Sequence, residues 1–217
     1  MQHQTIKSMN PETTAAVRQH VIDVALKSFQ TYGIRQFTMD KLSHELGMSK
    51  RTLYQLFSDK EELMMASLDR AEQIRVERLA TLQKESENVL DYILSIFRYN
   101  LMRYRNQSLS FIVDIMHYPT VEAHMEKHRE QSIRESVECM KKGVEQGLFR
   151  DDINYELYTK VMSNQLRGLS TNPDFRLLPM KDIFMNITIV YMRGCCTPKG
   201  IEIIDKFIKH YADEIIN

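Results

Sequence analysis

An all-α fold is predicted for this chain of 217 residues: an N-terminal three-helix helix-turn-helix domain followed by a larger C-terminal helical bundle. Three observations predict it. Glycine and proline are scarce, 7 and 5 residues, while Met, Leu, Ile, Lys and Glu are plentiful, a composition suited to helices. Apolar residues recur at helical spacing in segment after segment. Between the segments stand short stop and start signals built from Gly, Pro, Asn, Ser and Asp.

Residues 1–9 are polar and read as a tail. Asn10-Pro11 predicts the first helix, Asn as N-cap and Pro at the first helical position. Val17, Val21, Val24, Ala25, Ser28 and Tyr32 share a face, widened by Ile22, Leu26 and Phe29, and Gly33 ends the helix. Ile34 and Phe37 turn back into the same core. Met39, Leu42 and Leu46 make one face of a short second helix, which Gly47 stops. Ser49 then caps a third, anchored by Leu53 and Phe57. Three such helices bury little alone, so a fourth is expected to back them. It starts at Ser58-Asp59-Lys60-Glu61, read as a capping box between Ser58 and Glu61, and continues to about Leu82. The domain boundary is set at 10–70 and 71–217.

In the second part Leu90, Ile93, Leu94, Phe97, Leu101 and Tyr104 form a stripe, and Leu109 to Met116 a more apolar helix. Tyr118-Pro119-Thr120 reads as a turn before a charged helix from Val121 to Gln146. Gly147 opens a loop. Asn154 to Leu169 is helical, with Leu157, Tyr158, Val161, Met162, Leu166 and Leu169 expected inward. Asn172 to Pro179 connects it to the most apolar helix, Ile183 to Arg193, and Thr197-Pro198 caps a last one ending near Tyr211.

Formal charge is zero, and residues 1–62 hold eight basic against seven acidic residues, so any affinity for phosphates rests on where a few cations sit. The apolar run Ile183 to Met192 is interrupted by Asn186 and Thr188 and falls short of the roughly 20 residues a spanning helix needs. No apolar h-region lies near Met1, so a soluble, cytoplasmic protein without membrane association is expected. Cys139, Cys195 and Cys196 form no CxxC pair, as in a reducing compartment; Cys195-Cys196 reads as core filling. There is no Gly-rich phosphate loop, no GxSxG and no Ser/His/Asp arrangement, so neither an enzyme nor a cofactor is expected.

The short third helix leaves Lys50, Arg51, Thr52, Tyr54 and Gln55 on a face that packing does not use. A rigid turn presenting such a helix is the device that enters a DNA major groove. Arg51 or Lys50 suits the O6/N7 edge of guanine and Gln55 suits adenine. Thr38, Thr52, Tyr54 and Lys60 suit phosphate oxygens, which position without specifying. The pattern Thr38, Leu42, Leu46-Gly47-Met48-Ser49, Thr52-Leu53-Tyr54, Phe57-Ser58-Asp59-Lys60-Glu61, Leu63 resembles the DNA-binding segment of TetR/AcrR-type transcriptional regulators. Ser43 and Glu45 stand where that family often has alanine, and Arg51 where a small residue or proline is common.

The resemblance implies DNA contacts from Thr38, Ser49, Lys50, Arg51, Thr52, Tyr54, Gln55 and Lys60, with Lys60 on the DNA backbone. It also implies a ligand-responsive regulator that binds a palindromic double-stranded DNA operator as a homodimer, acts as a repressor because an occupied operator blocks polymerase, and is released by a small-molecule effector. In such proteins the last two major helices pair with their copies. Tyr158, Gly168, Ile183, Ile187, Val190, Tyr191 and Gly194 are the candidate contacts here. Polar residues on apolar helix faces suggest a ligand pocket from Phe97, Asn100, Tyr104, Phe111, Asp114, Met162 and Gln165; their bonding one another is the alternative. His124 and His128, spaced i, i+4 with His117 nearby, have the spacing of metal ligands, but a solvated helix face accounts for them and no metal site is assigned. Two rival functions remain: a helical module for protein–protein contact, and a metal-dependent enzyme.

Overall fold

In the computed structural model the described residues are 10–105, 114–115, 117–171 and 178–211, without the side chains of 104, 105, 169–171 and 180. The elements are α1 (Pro11–Tyr32), α2 (Met39–Glu45), α3 (Lys50–Leu56), α4 (Lys60–Glu85), α5 (Val89–Arg105), α6 (Pro119–Glu145) and α7 (Tyr155–Thr171). Then α8 (Met180–Ile183) runs through a π-helical stretch, Phe184–Thr188, into α9 (Ile189–Cys195), and α10 (Pro198–His210) closes the described chain. Among the described residues the fold is helical, with one isolated antiparallel bridge between Phe149 and Cys196. The expected helix Leu109 to Met116 falls largely outside them.

Two compact units emerge, Met1–Arg75 with Gln107–His128, and Val76–Asn106 with Arg129–Asn217. The division at 70/71 drawn from the sequence thus falls inside α4, and the start of α6 groups with the first unit.

In the first unit, Asn10 Oδ1 accepts from Thr13 N at 2.7 Å and opens α1; Gly33, at φ 78°, closes it in a region that L-residues avoid. Val21, Ile22, Ala25 and Phe29 are buried, and the Phe29 ring packs 4.2 Å from that of Phe37. Tyr32, expected on the same face, is instead exposed. Leu53, Phe57, Leu63, Met64 and Val121 complete this core. Val121 shows that α4 is not the sole backing of the short helices: the first turn of α6 also contributes. Pro119 begins α6 rather than sitting in a turn, since proline suits a first helical position.

The start of α4 is capped one residue later than the Ser58/Glu61 pattern suggests. Asp59 Oδ1 accepts from Glu62 N at 2.8 Å, while Glu62 Oε2 accepts from Ser58 N at 2.7 Å. Asp59 and Glu62 keep the same three-residue spacing, and a carboxylate near the positive helix end is favoured over a hydroxyl.

The second unit is organised around Leu90, Leu94, Phe149, Phe184, Met192, Ile204 and Phe207. Thr197 N donates to Leu148 O (3.0 Å) and Arg150 N to Cys195 O (2.9 Å), stitching the Gly147 loop to the head of α10. Cys195 and Cys196 are buried here, and burial pushes both thiols above their ordinary range, as fits inert core filling.

Candidate nucleic-acid interface

The pair α2–α3 is fixed by local chemistry. Thr38 Oγ1 accepts from Lys41 N at 3.2 Å and caps α2. Gly47, at φ 62°, makes the turn. Ser49 Oγ accepts from Thr52 N at 3.1 Å and lies 2.8 Å from Thr52 Oγ1, so both hydroxyls serve the cap of α3. Ser43, where an alanine was the family's habit, is buried and donates to Asp40 O at 2.8 Å, which removes the cost of its hydroxyl.

With Leu53 and Leu56 buried, α3 turns Lys50, Arg51, Tyr54 and Gln55 outward, and Tyr54 is 49% exposed. Thr38 is exposed beside them, while Ser49 and Thr52 are half-buried. Lys50 Nζ reaches Asp40 Oδ2 at 2.5 Å, an ion pair between α2 and α3 that solvent weakens. Arg51 makes no ion pair among the described residues. It is therefore the guanidinium of α3 whose planar fork stands ready for a bidentate acceptor.

Lys60 is tied down. Its ammonium donates to Ile34 O at 2.7 Å and Phe37 O at 2.9 Å, and it is half-buried. Burial lowers its pKa, against the opposing attraction of Asp114. Two of its three N–H bonds satisfy the turn between α1 and α2. The carbonyls, not only an anion, offset the cation at the head of α4.

Asp114 sits on the other side of the same turn and not in a ligand cavity. Only 4% exposed, it accepts from Ile34 N and Arg35 N, each at 3.0 Å, through Oδ2, while Oδ1 lies 3.1 Å from Arg35 Nε. The polar interruption of an apolar run was visible in the sequence. Its partner, about eighty residues away, was not.

The other expected pocket residues with described side chains belong to the second unit, apart from Asp114. Phe97 is half-buried, its ring 5.8 Å from that of Phe184; Asn100 and Met162 are half-buried and Gln165 is exposed. Phe111 and the Tyr104 side chain lie outside the described residues. A cavity of about 770 Å³ in the second unit is lined elsewhere, by Val76 and Ala80 of α4, Tyr92 of α5, Arg134 and Cys139 of α6 and Lys160 of α7, among others.

Among the expected dimer contacts, Val190 (58% exposed), Tyr191 (42%) and Gly194 face outward on α9, and Gly168 does so on α7. Ile183 is buried within the protomer; Tyr158 and Ile187 are half-buried. Leu157 and Val161, expected inward, are exposed at 61% and 43%. The stripe on α7 is wide enough to face two ways, and periodicity alone does not say which edge meets its own core.

Residues 21–66 match the family model described as "Bacterial regulatory proteins, tetR family". No curated protein matches the chain. Among solved structures, a transcriptional regulator from Cytophaga hutchinsonii is similar at a TM-score of 0.67 and 18% identity, covering 82% of this chain and 98% of that one. A TetR-family transcriptional regulator from Pectobacterium atrosepticum gives 0.66 at 15% identity, with 87% and 98% covered. A Saccharomonospora viridis protein described as "a putative transcriptional regulator … in complex with choline" gives 0.63 at 15% identity, with 90% and 97% covered. At these identities the likeness is one of fold.

Proposed function

From a tetR-type segment at residues 21–66 set in the fold of TetR/AcrR regulators, we propose that the chain is a ligand-responsive regulator that binds a palindromic operator as a homodimer and represses by occupying it. One observation carries the reading: α3 is capped and anchored from below while Lys50, Arg51, Tyr54 and Gln55 remain exposed and unused by packing. Arg51, and Lys50 once released from Asp40, are assigned to guanine edges and Gln55 to adenine. Thr38, Ser49, Thr52, Tyr54 and Lys60 are assigned to the sugar–phosphate backbone.

The outward faces of α7 and α9 support self-association. Leu157, Val161, Val190 and Tyr191 are large apolar side chains in water, and a Cβ on Gly168 or Gly194 would meet no atom within 4 Å. Paired with their copies, these helices make a four-helix interface with small residues at the closest approach. A two-fold dimer then sets its reading helices about 34–36 Å apart, one turn of DNA. The effector enters the second unit, where a cavity of about 770 Å³ is of small-molecule size. Since α4 runs from beside α3 to Glu85, a ligand that favours a different tilt of α4 respaces the reading helices. A 100-fold preference for the non-binding shape supplies about 2.7 kcal/mol.

The test is a binding titration of the purified protein against DNA upstream of its own gene, and against scrambled DNA, at two salt concentrations. Wild type should prefer the upstream DNA, and Arg51→Ala should lose that preference at the cost of about 1–3 kcal/mol. Equal affinity for both DNAs in wild type would refute the reading and leave the protein-contact module in its place.

A further inference from the structure

The histidine pair on α6 acquires a third donor in the folded chain. His124 and His128 stand one turn apart with ring centroids 5.4 Å apart, edge to face. Across from them on α4, Asp69 places Oδ1 2.6 Å from His124 Nε2 and 3.1 Å from His128 Nε2. One donor atom from each of the three side chains lies within 4.8 Å of the other two. All three residues belong to the first unit.

As an ion pair this arrangement has little energetic reason to exist. Asp69 is 52% exposed and the two imidazoles 28% and 29%, and solvent-screened pairs of this kind contribute about 0–1 kcal/mol. It has the chemistry of a coordination site instead. A tetrahedral ion with bonds of about 2.0–2.1 Å to nitrogen and oxygen keeps its ligand atoms about 3.3 Å apart. The two Asp–His separations are short of that by less than about 1 Å, a gap that rotation of a half-exposed aspartate closes. The i, i+4 spacing presents both imidazoles from one helix toward the same carboxylate oxygen of Asp69.

We propose that Asp69, His124 and His128 bind a divalent transition-metal ion of the zinc type, cross-linking α4 to α6. Two imidazole nitrogens and one carboxylate oxygen suit Zn²⁺, Co²⁺ or Ni²⁺, whereas Mg²⁺ and Ca²⁺ take oxygen shells. Three protein ligands leave a fourth position for water, and the exposure of the trio gives an ion direct entry. The bound ion ties α4 to α6 inside the unit that also holds α3. This site does not depend on the DNA reading, because binding of the ion is measured without DNA.

The experiment is a titration of the full chain, stripped with chelator, with Zn²⁺ in competition with a chromogenic indicator. One high-affinity site per chain is expected, undisturbed by excess Mg²⁺. His124→Ala, His128→Ala and Asp69→Ala should each weaken it by at least about tenfold, the least that loss of even an outer-shell partner costs. His44→Ala, an exposed histidine on α2, should leave it unchanged. Circular dichroism confirms that each variant is folded. Co²⁺ should give d–d bands without thiolate charge transfer. Failure of wild type to take up Zn²⁺, uptake that survives the His124→Ala/His128→Ala double change, or a thiolate band pointing to the cysteines would each overturn the proposal.

Discussion

Asp114 offers the sharpest test of how the first unit is held together. Its Oδ2 is the acceptor for two consecutive backbone amides, Ile34 N and Arg35 N, at the turn that launches α2. Asp114→Ala strands both amides. The one at Ile34 is buried, and an unsatisfied buried donor costs about 1–3 kcal/mol. The one at Arg35 is partly buried and recovers part of its loss from water, so the sum is about 3 kcal/mol. Asp114→Asn keeps an oxygen in the Oδ2 position and loses only the charge, about 1 kcal/mol. Arg35→Ala removes an ion pair from a side chain that is 67% exposed and should cost no more than about 1 kcal/mol. At about 2–4 °C per kcal/mol for a chain of this size, thermal unfolding followed by circular dichroism should fall by about 6–12 °C for Asp114→Ala. The other two variants should each lose about 2–4 °C or less. If Arg35→Ala proved as damaging as Asp114→Ala, the salt bridge and not amide capping would be holding the turn, and the reasoning would fail.

Three further outcomes follow from named contacts. Gly200→Ala places a Cβ 2.3 Å from the Leu148 carbonyl oxygen, a backbone atom, so denaturant melts should show a loss of about 1–3 kcal/mol. Gly194→Ala meets nothing within 4 Å and removes a helix-interior glycine, so it should raise the stability of the isolated protomer by up to about 1 kcal/mol. If α9 packs closely on its copy, the same change should weaken self-association in sedimentation experiments. Burial, with the neighbouring Cys195 adding to it, pushes the Cys196 thiol up to about 12 from an ordinary 9.0. The folded state therefore keeps a proton that the unfolded chain gives up, so this contribution is complete below pH 9.0 and is lost as pH rises toward 12. Melts under reducing conditions should decline above that pH by about 1.4 kcal/mol per unit from this group, and Cys196→Ala should flatten the decline.

Much of the first unit was legible because its signals are local. Asn10, Gly33, Gly47 and Ser49 each act within three or four residues, as caps or as a turn that needs positive φ, and the structure uses them so; the cap that Thr38 supplies to α2 was not read from the sequence. The outward face of α3 follows from the same local geometry, because burying Leu53 and Leu56 leaves Lys50, Arg51, Tyr54 and Gln55 no other direction. The cap of α4 slipped by one residue because Ser58 and Asp59 offer competing caps at the same spacing. Carboxylate chemistry at a helix N-terminus decides between them.

What the chain by itself determined, then, is the helical class, the capped turn and the exposure of Lys50, Arg51, Tyr54 and Gln55 on the third helix, since all three depend on neighbours a few residues away; Thr52, expected outward with them, is half-buried at the cap. Tertiary structure alone decided that Asp114 serves the turn at Ile34 rather than a cavity, that Leu157 and Val161 face outward, and that Asp69 joins His124 and His128. Each of those outcomes couples residues on different elements. A helix with apolar or polar residues on both edges of a stripe carries no local mark of which edge its partner will cover.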